Sequence, residues 1–258
     1  MATPSSPVNL WVVLSESKRI INAHARHFLA LSVLFLLPIS FSVTVYPSVI
    51  RFITDQSTVS FLRSGDDDQQ PPVPDFKMVA LLLIAYVIIV TVLNLLAIGS
   101  IAYSVFQGLC GRPVKLISAV KSSLSSFFSL LATLITTFQV NWILSWVVVV
   151  VESVWGLTPL KRSKSLTKGM RSVSLSIIFF FRVTQSVIGW ISKAAASAPI
   201  ENGEIGWTNA FFVLQILVMS ALLTLSTLYN LASITVMYMH CKAIQGELAL
   251  EIAEEFAF

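Results

Sequence analysis

Five long apolar runs leave this chain few folds to choose from. They cover about 28–50, 78–107, 122–151, 173–191 and 207–239. A helix rising about 1.5 Å per residue needs roughly twenty apolar residues to cross a hydrocarbon core of about 30 Å, and these runs meet or approach that length. The helices of a soluble domain would carry polar outer faces, which these runs lack, and a β-barrel would show shorter segments of alternating polarity. Composition agrees, with 55% of residues hydrophobic and 12% charged, against about 25% charged in an ordinary soluble domain. The sequence therefore predicts an all-α, polytopic helical membrane protein with about five transmembrane helices.

Around the runs the chain divides into a leader, 1–27, and one membrane-embedded helical domain, 28–258. No cleavable signal peptide is expected, because the first run is long and follows a charged leader. From Asn9 to His27 the leader reads as an amphipathic helix on the membrane surface or as a helical extension of the first span. Leu10, Trp11, Val13, Leu14, Ile20 and Ile21 form its apolar side, with Glu16, Lys18, Arg19, Arg26 and His27 at polar positions. Pro38 inside the first run predicts a kink. Residues 51–77, with Asp66-Asp67-Asp68 and Pro71-Pro72-Val73-Pro74, read as a polar loop. The acids there lack the spaced ligand pattern of a calcium loop. In the second run Asn94, Ala97, Ser100, Ser104 and Gly108 fall near one helical face, as Ser220, Thr224, Thr227 and Asn230 do in the last. Such seams let helices pack closely in lipid. From Cys241 the chain reads as an acidic amphipathic helix.

The cations create a conflict. Lysine and arginine in short loops mark the cytoplasmic side. That rule puts the leader inside (Lys18, Arg19, Arg26), the 51–77 loop outside and the 112–121 loop inside. The most basic segment, with Lys161, Arg162, Lys164, Lys168 and Arg171, should also be inside. An even number of crossings must then separate the last two loops, yet the thirty residues 122–151 make about 45 Å of helix, which suffices for one. Either the basic segment is forced outside, or the run re-enters without crossing, or a span is missing.

That basic segment follows a run of five valines closed by Glu152, then Trp155, Gly156 and Thr158-Pro159, an N-cap and N1 pair for a new helix. Lys161, Lys164, Lys168 and Arg171 would share one face, with Leu166, Met170 and Val173 opposite. The segment serves as a topology determinant or as an anionic-lipid contact, in which Lys161, Arg162, Lys164, Lys168 and Arg171 meet headgroups. Within or beside the runs, Asn94, Glu152, Arg182 and Asn230 are the polar residues of interest. Glu152 is expected to pair with Lys161 or Arg162, and Arg182 to face protein or water, with Glu152 or Gln185 as a partner, or else to displace its helix in the membrane.

Chemistry finds little purchase. His24 and His27 stand alone as potential metal ligands, and no GxSxG, HExxH, phosphate-loop or dinucleotide-binding pattern occurs. No catalytic residue, cofactor or metal site is expected. Cys110 and Cys241 are expected to be unbridged, with palmitoylation as an option at such juxtamembrane positions. Because the bases sit beside membrane spans, nucleic acid is not an expected partner.

Gln139-Val140-Asn141-Trp142, the valines with Glu152-Ser153, and Arg162-Ser163-Lys164 with Lys168-Gly169-Met170 resemble a plant family of polytopic membrane proteins of unknown function. Tyr238-Met239-His240-Cys241-Lys242 and Gly246-Glu247-Leu248-Ala249 do so as well. The basic core alone is also similar to a bacterial membrane domain found fused to some glycerophosphodiester phosphodiesterases. The plant resemblance implies six spans. Against that pattern this chain lacks several tens of residues between about Thr136 and Gln139 and is shorter at its C-terminus.

These readings lead to a multi-pass protein of an endomembrane or the plasma membrane whose partner is the lipid bilayer. The expected role is a non-catalytic scaffold or organising component. The alternative is a small-solute transporter or channel, with a watered cavity near Asn94, Arg182 and Asn230. An enzyme is the least favoured class.

Overall fold

The structure, a computed structural model, describes residues 9–46, 49, 76–111, 115–136, 145–152, 158–166, 170–196 and 210–244. Every regular element among them is helical. Helix α1 spans Leu10–Ala23. A break at His24 separates it from α2, a candidate membrane span over Ala25–Tyr46. Further candidate spans lie in α3 (Phe76–Leu109), α8 (Arg171–Ala196) and α9 (Ala210–Ile244). Between α3 and α8 come four short helices: α4 (Leu116–Ser125), α5 (Phe127–Thr136), α6 (Ser145–Glu152) and α7 (Thr158–Leu166). The chain thus has the all-α architecture of a multi-pass membrane protein, and the described residues hold four helices long and apolar enough to cross, against the five runs expected.

Pro38 acts through the helix before it. Over Ser32–Leu36 α2 widens into a π-turn, and the Leu37 N–H reaches back to the Ser32 carbonyl. A proline ring collides with the carbonyl four residues earlier, and one wide turn ahead of it accommodates that collision without ending the helix.

Which helix ends lie together follows from a few close contacts. His27 Nε2 sits 2.9 Å from Ser104 Oγ, joining the start of α2 to the end of α3. His240 Nε2 is 2.7 Å from Glu16 Oε2, joining the end of α9 to α1. Gly108 is packed under α1 so closely that a Cβ there would lie 3.3 Å from Ile20 Cγ2. Cys241 Sγ is 3.7 Å from Met170 Sδ, which brings the start of α8 to the same place. Helix α1 therefore lies across one end of the bundle, where α2 and α8 begin and α3 and α9 finish. Its Val13, Ile20 and Ile21 are buried in the protein core, whereas Trp11 is 74% exposed. The surface helix expected from the leader keeps only part of its apolar side for the membrane.

From this end the chain turns at Gly111, with a left-handed φ of 68°, and α4 folds back along α3. The Ser123 hydroxyl donates to the Leu96 carbonyl at 2.9 Å, and a Cβ on Gly99 would come within 2.6 Å of Ser123 Oγ. Gly99 lies about 15 Å of helix above Leu109, halfway through a bilayer core. At Ser126 the helix breaks and α5 begins. The returning α6 ends with Glu152 bonded to Tyr238, back at the starting end. Leu130 of α5 and Val149 and Val150 of α6 join Leu95 and Ala102 of α3 in one buried cluster.

The stretch from Lys115 to Glu152 thus enters and leaves at one end. Its helices have 10, 10 and 8 residues, about 12–15 Å each, too short to cross singly. Of the three alternatives that the charge conflict leaves open for 122–151, re-entry is the one that agrees with Lys115 and Glu152 lying at the same end, with residues 137–144 outside the described residues.

Packing follows the same polarity. In α9 residues 232–239 are buried all round, while Phe211, Leu214, Leu217, Val218 and Leu222 are exposed. Among the described side chains of α3 the first buried one is Leu95, and Leu81, Ile84, Val87, Ile88 and Ile89 are bare. Among the described residues, the far halves of α3 and α9 thus have fewer neighbours than the halves at the basic end.

Candidate functional site: a polar fastener at the basic end

Valine side chains make α6 a buried strut: Val147 to Val150 are all at most 5% exposed. Helix α6 closes on Glu152, where the strut meets polar surroundings. The Tyr238 hydroxyl donates to Glu152 Oε1 at 2.7 Å. Glu152 Oε2 lies 3.5 Å from Arg162 Nε of α7. Tyr238 is fully buried, and Lys242, one turn later on α9, holds its ammonium 5.9 Å from the tyrosine ring centroid. A cation at that distance is attracted by the ring face. A phenol and a carboxylate leaving water together need each other's hydrogen bond, so Glu152 ties α6, α7 and α9 at one point.

The last turns of α9 extend this tie in other directions. His240 reaches Glu16 of α1 and Cys241 reaches Met170 ahead of α8. Tyr238, His240 and Cys241 of α9 thus reach α6, α1 and the residue just ahead of α8. Sequence reasoning singled out Glu152 and a pairing with Arg162. It missed Tyr238, Lys242, Glu16 and His240 as a connected set, although the i, i+4 spacing of Tyr238 and Lys242 signalled a shared face.

The cations of the basic segment divide. Arg162 turns inward to Glu152, while Lys161 and Arg171 are exposed. The Lys164 side chain and all of Lys168 lie outside the described residues. Lys161 and Arg162 belong to α7 and Arg171 to the first turn of α8, and residues 167–169 between these helices lie outside the described residues.

The other polar residues do not converge. Asn94 and Arg182 are exposed on the outer surfaces of α3 and α8, and Asn230 is half-buried on α9. Asn94 was expected in the packing seam of α3. It lies just beyond the reach of α4, so Ala97, Ser100 and Ser104 are buried and Asn94 is not. Arg182 is exposed on the outer face of α8, and Gln185, one of the partners expected for it, is directed instead to Thr227 Oγ1 at 3.5 Å. Neither cysteine forms a disulfide, Cys110 being exposed and Cys241 buried. Cys241 to Ile244 continue α9, while the acidic residues from 245 onward and Asp66–Asp68 lie outside the described residues.

No curated protein and no solved structure matches the chain. A family model described as a domain of unknown function (DUF8558) matches residues 114–249. That range is more than half of the chain and takes in α4 to α9, hence every member of the fastener except Glu16. The chain belongs to the DUF8558 family.

Proposed function

We propose that the protein is a non-catalytic scaffold of a cellular membrane, an endomembrane or the plasma membrane, that holds anionic lipid at the basic end of its bundle. One observation carries this reading. The described residues include two carboxylates, Glu16 and Glu152, and both are engaged internally by His240 and by Arg162 and Tyr238. Lys18, Arg19, Arg26, Lys115, Lys161 and Arg171 are all exposed, and they belong to elements that meet at this one end. The rule for basic loops turns that end to the cytoplasm, where the leaflet is anionic and each base near its surface contributes about 1 kcal/mol of attraction. The outward placement of Asn94 and Arg182 favours a scaffold over a transporter, because these residues offer no shared polar path. The likeness to the plant family supports placing the protein among plant membrane proteins.

The test is energy transfer from the tryptophans of the full-length protein to dansyl-labelled lipid in phosphatidylcholine vesicles. Transfer to labelled phosphatidylserine should exceed transfer to labelled phosphatidylcholine. The excess should shrink in a Lys115→Gln, Lys161→Gln, Arg171→Gln variant and with added salt. Equal transfer to the two lipids contradicts the reading.

A further inference from the structure

Arg182 is the one charged residue within the five apolar runs. Counting from Arg171 at the basic end, it lies about 16 Å along α8, close to the middle of a core of about 30 Å. Its side chain is exposed on the outer surface of α8. Among the described residues it has no hydrogen-bond or ion-pair partner. Arginine does not shed its proton in a protein, and at this depth its side chain is too short to bring the charge to either headgroup layer. An uncompensated cation facing hydrocarbon is one of the costliest placements in a bilayer, and such residues are normally found paired.

The surroundings of Arg182 are shaped for a neighbour. Leu175, Phe179, Arg182, Ser186, Gly189 and Lys193 follow one another at alternating steps of four and three residues, the spacing of a left-handed helix–helix seam. Phe179 is 72% exposed, and a Cβ added to Gly189 would meet nothing within 4 Å. Ser174, Ile177 and Phe181, on a separate face of α8 about a third of a turn away, are the residues buried against the bundle. Helix α8 therefore carries two seams, and the monomer covers one.

We propose that the outer seam of α8 docks a transmembrane helix of another protein that presents a carboxylate opposite Arg182 at mid-membrane depth. Charge decides the occupant. None of the five apolar runs of this chain contains aspartate or glutamate, so a second copy has no carboxylate to offer at this level. Two copies related by a two-fold axis along the membrane normal would also set Arg182 against Arg182. Small residues on the seam let the partner backbone approach closely, which shortens the ion pair and excludes lipid from it. This proposal rests on the membrane-spanning fold and not on the lipid contact at the basic end.

Full-length protein carrying a donor fluorophore in phosphatidylcholine vesicles is mixed with synthetic single-span helices carrying an acceptor. One helix has a central glutamate in a leucine–alanine background, and its sister has leucine there. The glutamate helix should associate about 3- to 20-fold more tightly than its sister. Arg182→Leu should abolish that preference, Arg182→Lys should retain part of it, and Asn94→Leu on the outer face of α3 should leave it intact. Arg182→Leu removes a surface charge and nothing packed, so it keeps the fold. A wild-type protein with no preference for the glutamate helix overturns the proposal, as does a preference that survives Arg182→Leu. Arg182-dependent energy transfer between labelled copies of the chain, without added helix, assigns the seam to a second copy and also overturns it.

Discussion

The Tyr238 hydroxyl donates a 2.7 Å hydrogen bond to Glu152 Oε1, and this single contact fixes the end at which the apolar stretch beginning at Lys115 comes back out. Because Tyr238 is fully buried, removing the carboxylate strands a phenol without its acceptor. Glu152→Ala should destabilise the protein in detergent micelles by about 1–3 kcal/mol, and Tyr238→Phe by about 1 kcal/mol. Arg162→Gln should cost less, about 0–1 kcal/mol, since its side chain is 35% exposed and water screens the ion pair. Thermal unfolding of the three variants checks the order. A larger loss in Arg162→Gln than in Glu152→Ala would show that the ion pair, not the tyrosine bond, holds the fastener.

Three glycines make a graded test of packing. A Cβ at Gly99 would meet Ser123 Oγ at 2.6 Å and Ser123 Cα at 3.0 Å, so backbone must move. At Gly108 the nearest atom is the Ile20 methyl at 3.3 Å, and at Gly189 there is open space. Gly99→Ala should therefore cost about 1–3 kcal/mol through overpacking, Gly108→Ala less, and Gly189→Ala nothing, with a gain of up to about 1 kcal/mol from helix propensity. Unfolding in one detergent across the set reads the gradient, and equal effects at Gly99 and Gly189 would contradict the close contact of α3 with α4.

Asn94 separates a lipid-facing surface from a watered path. In a Cys110→Ser background, Asn94→Cys on the bare half of α3 should resist a charged, membrane-impermeant maleimide and react with a small apolar one. Rapid labelling by the charged reagent would indicate water within the hydrocarbon core, as a transporter requires.

The long spans were legible in the sequence because length and hydrocarbon character are both one-dimensional properties. The re-entrant element was not, because thirty apolar residues look alike whether they cross a membrane or turn inside it. The serines at 122, 123, 125 and 126 were the available signal: one of them, Ser126, is where α4 ends and α5 begins, and Ser123 binds across to Leu96. The leader posed a related ambiguity. An amphipathic helix presents the same pattern to lipid as to protein, and only the fold shows Val13 and Ile20 packed inside. Glu152 was legible with Arg162 because acid and base lie close along the chain. Its bond to Tyr238 spans 86 residues, a separation over which no local spacing speaks. Arg182 was legible as an oddity, while its outward direction depended on which face of α8 the rest of the bundle occupies.

Lys115 and Glu152 mark the two mouths of one re-entrant element, which leaves the four long apolar helices among the described residues as the membrane crossings. Insertion of glycosylation acceptor sites near residues 65, 165 and 203, each in a separate full-length variant expressed with microsomes, tests it most directly. The account predicts glycan at 65 and 203 and none at 165. Glycan at 165, or its absence at 65, would contradict it.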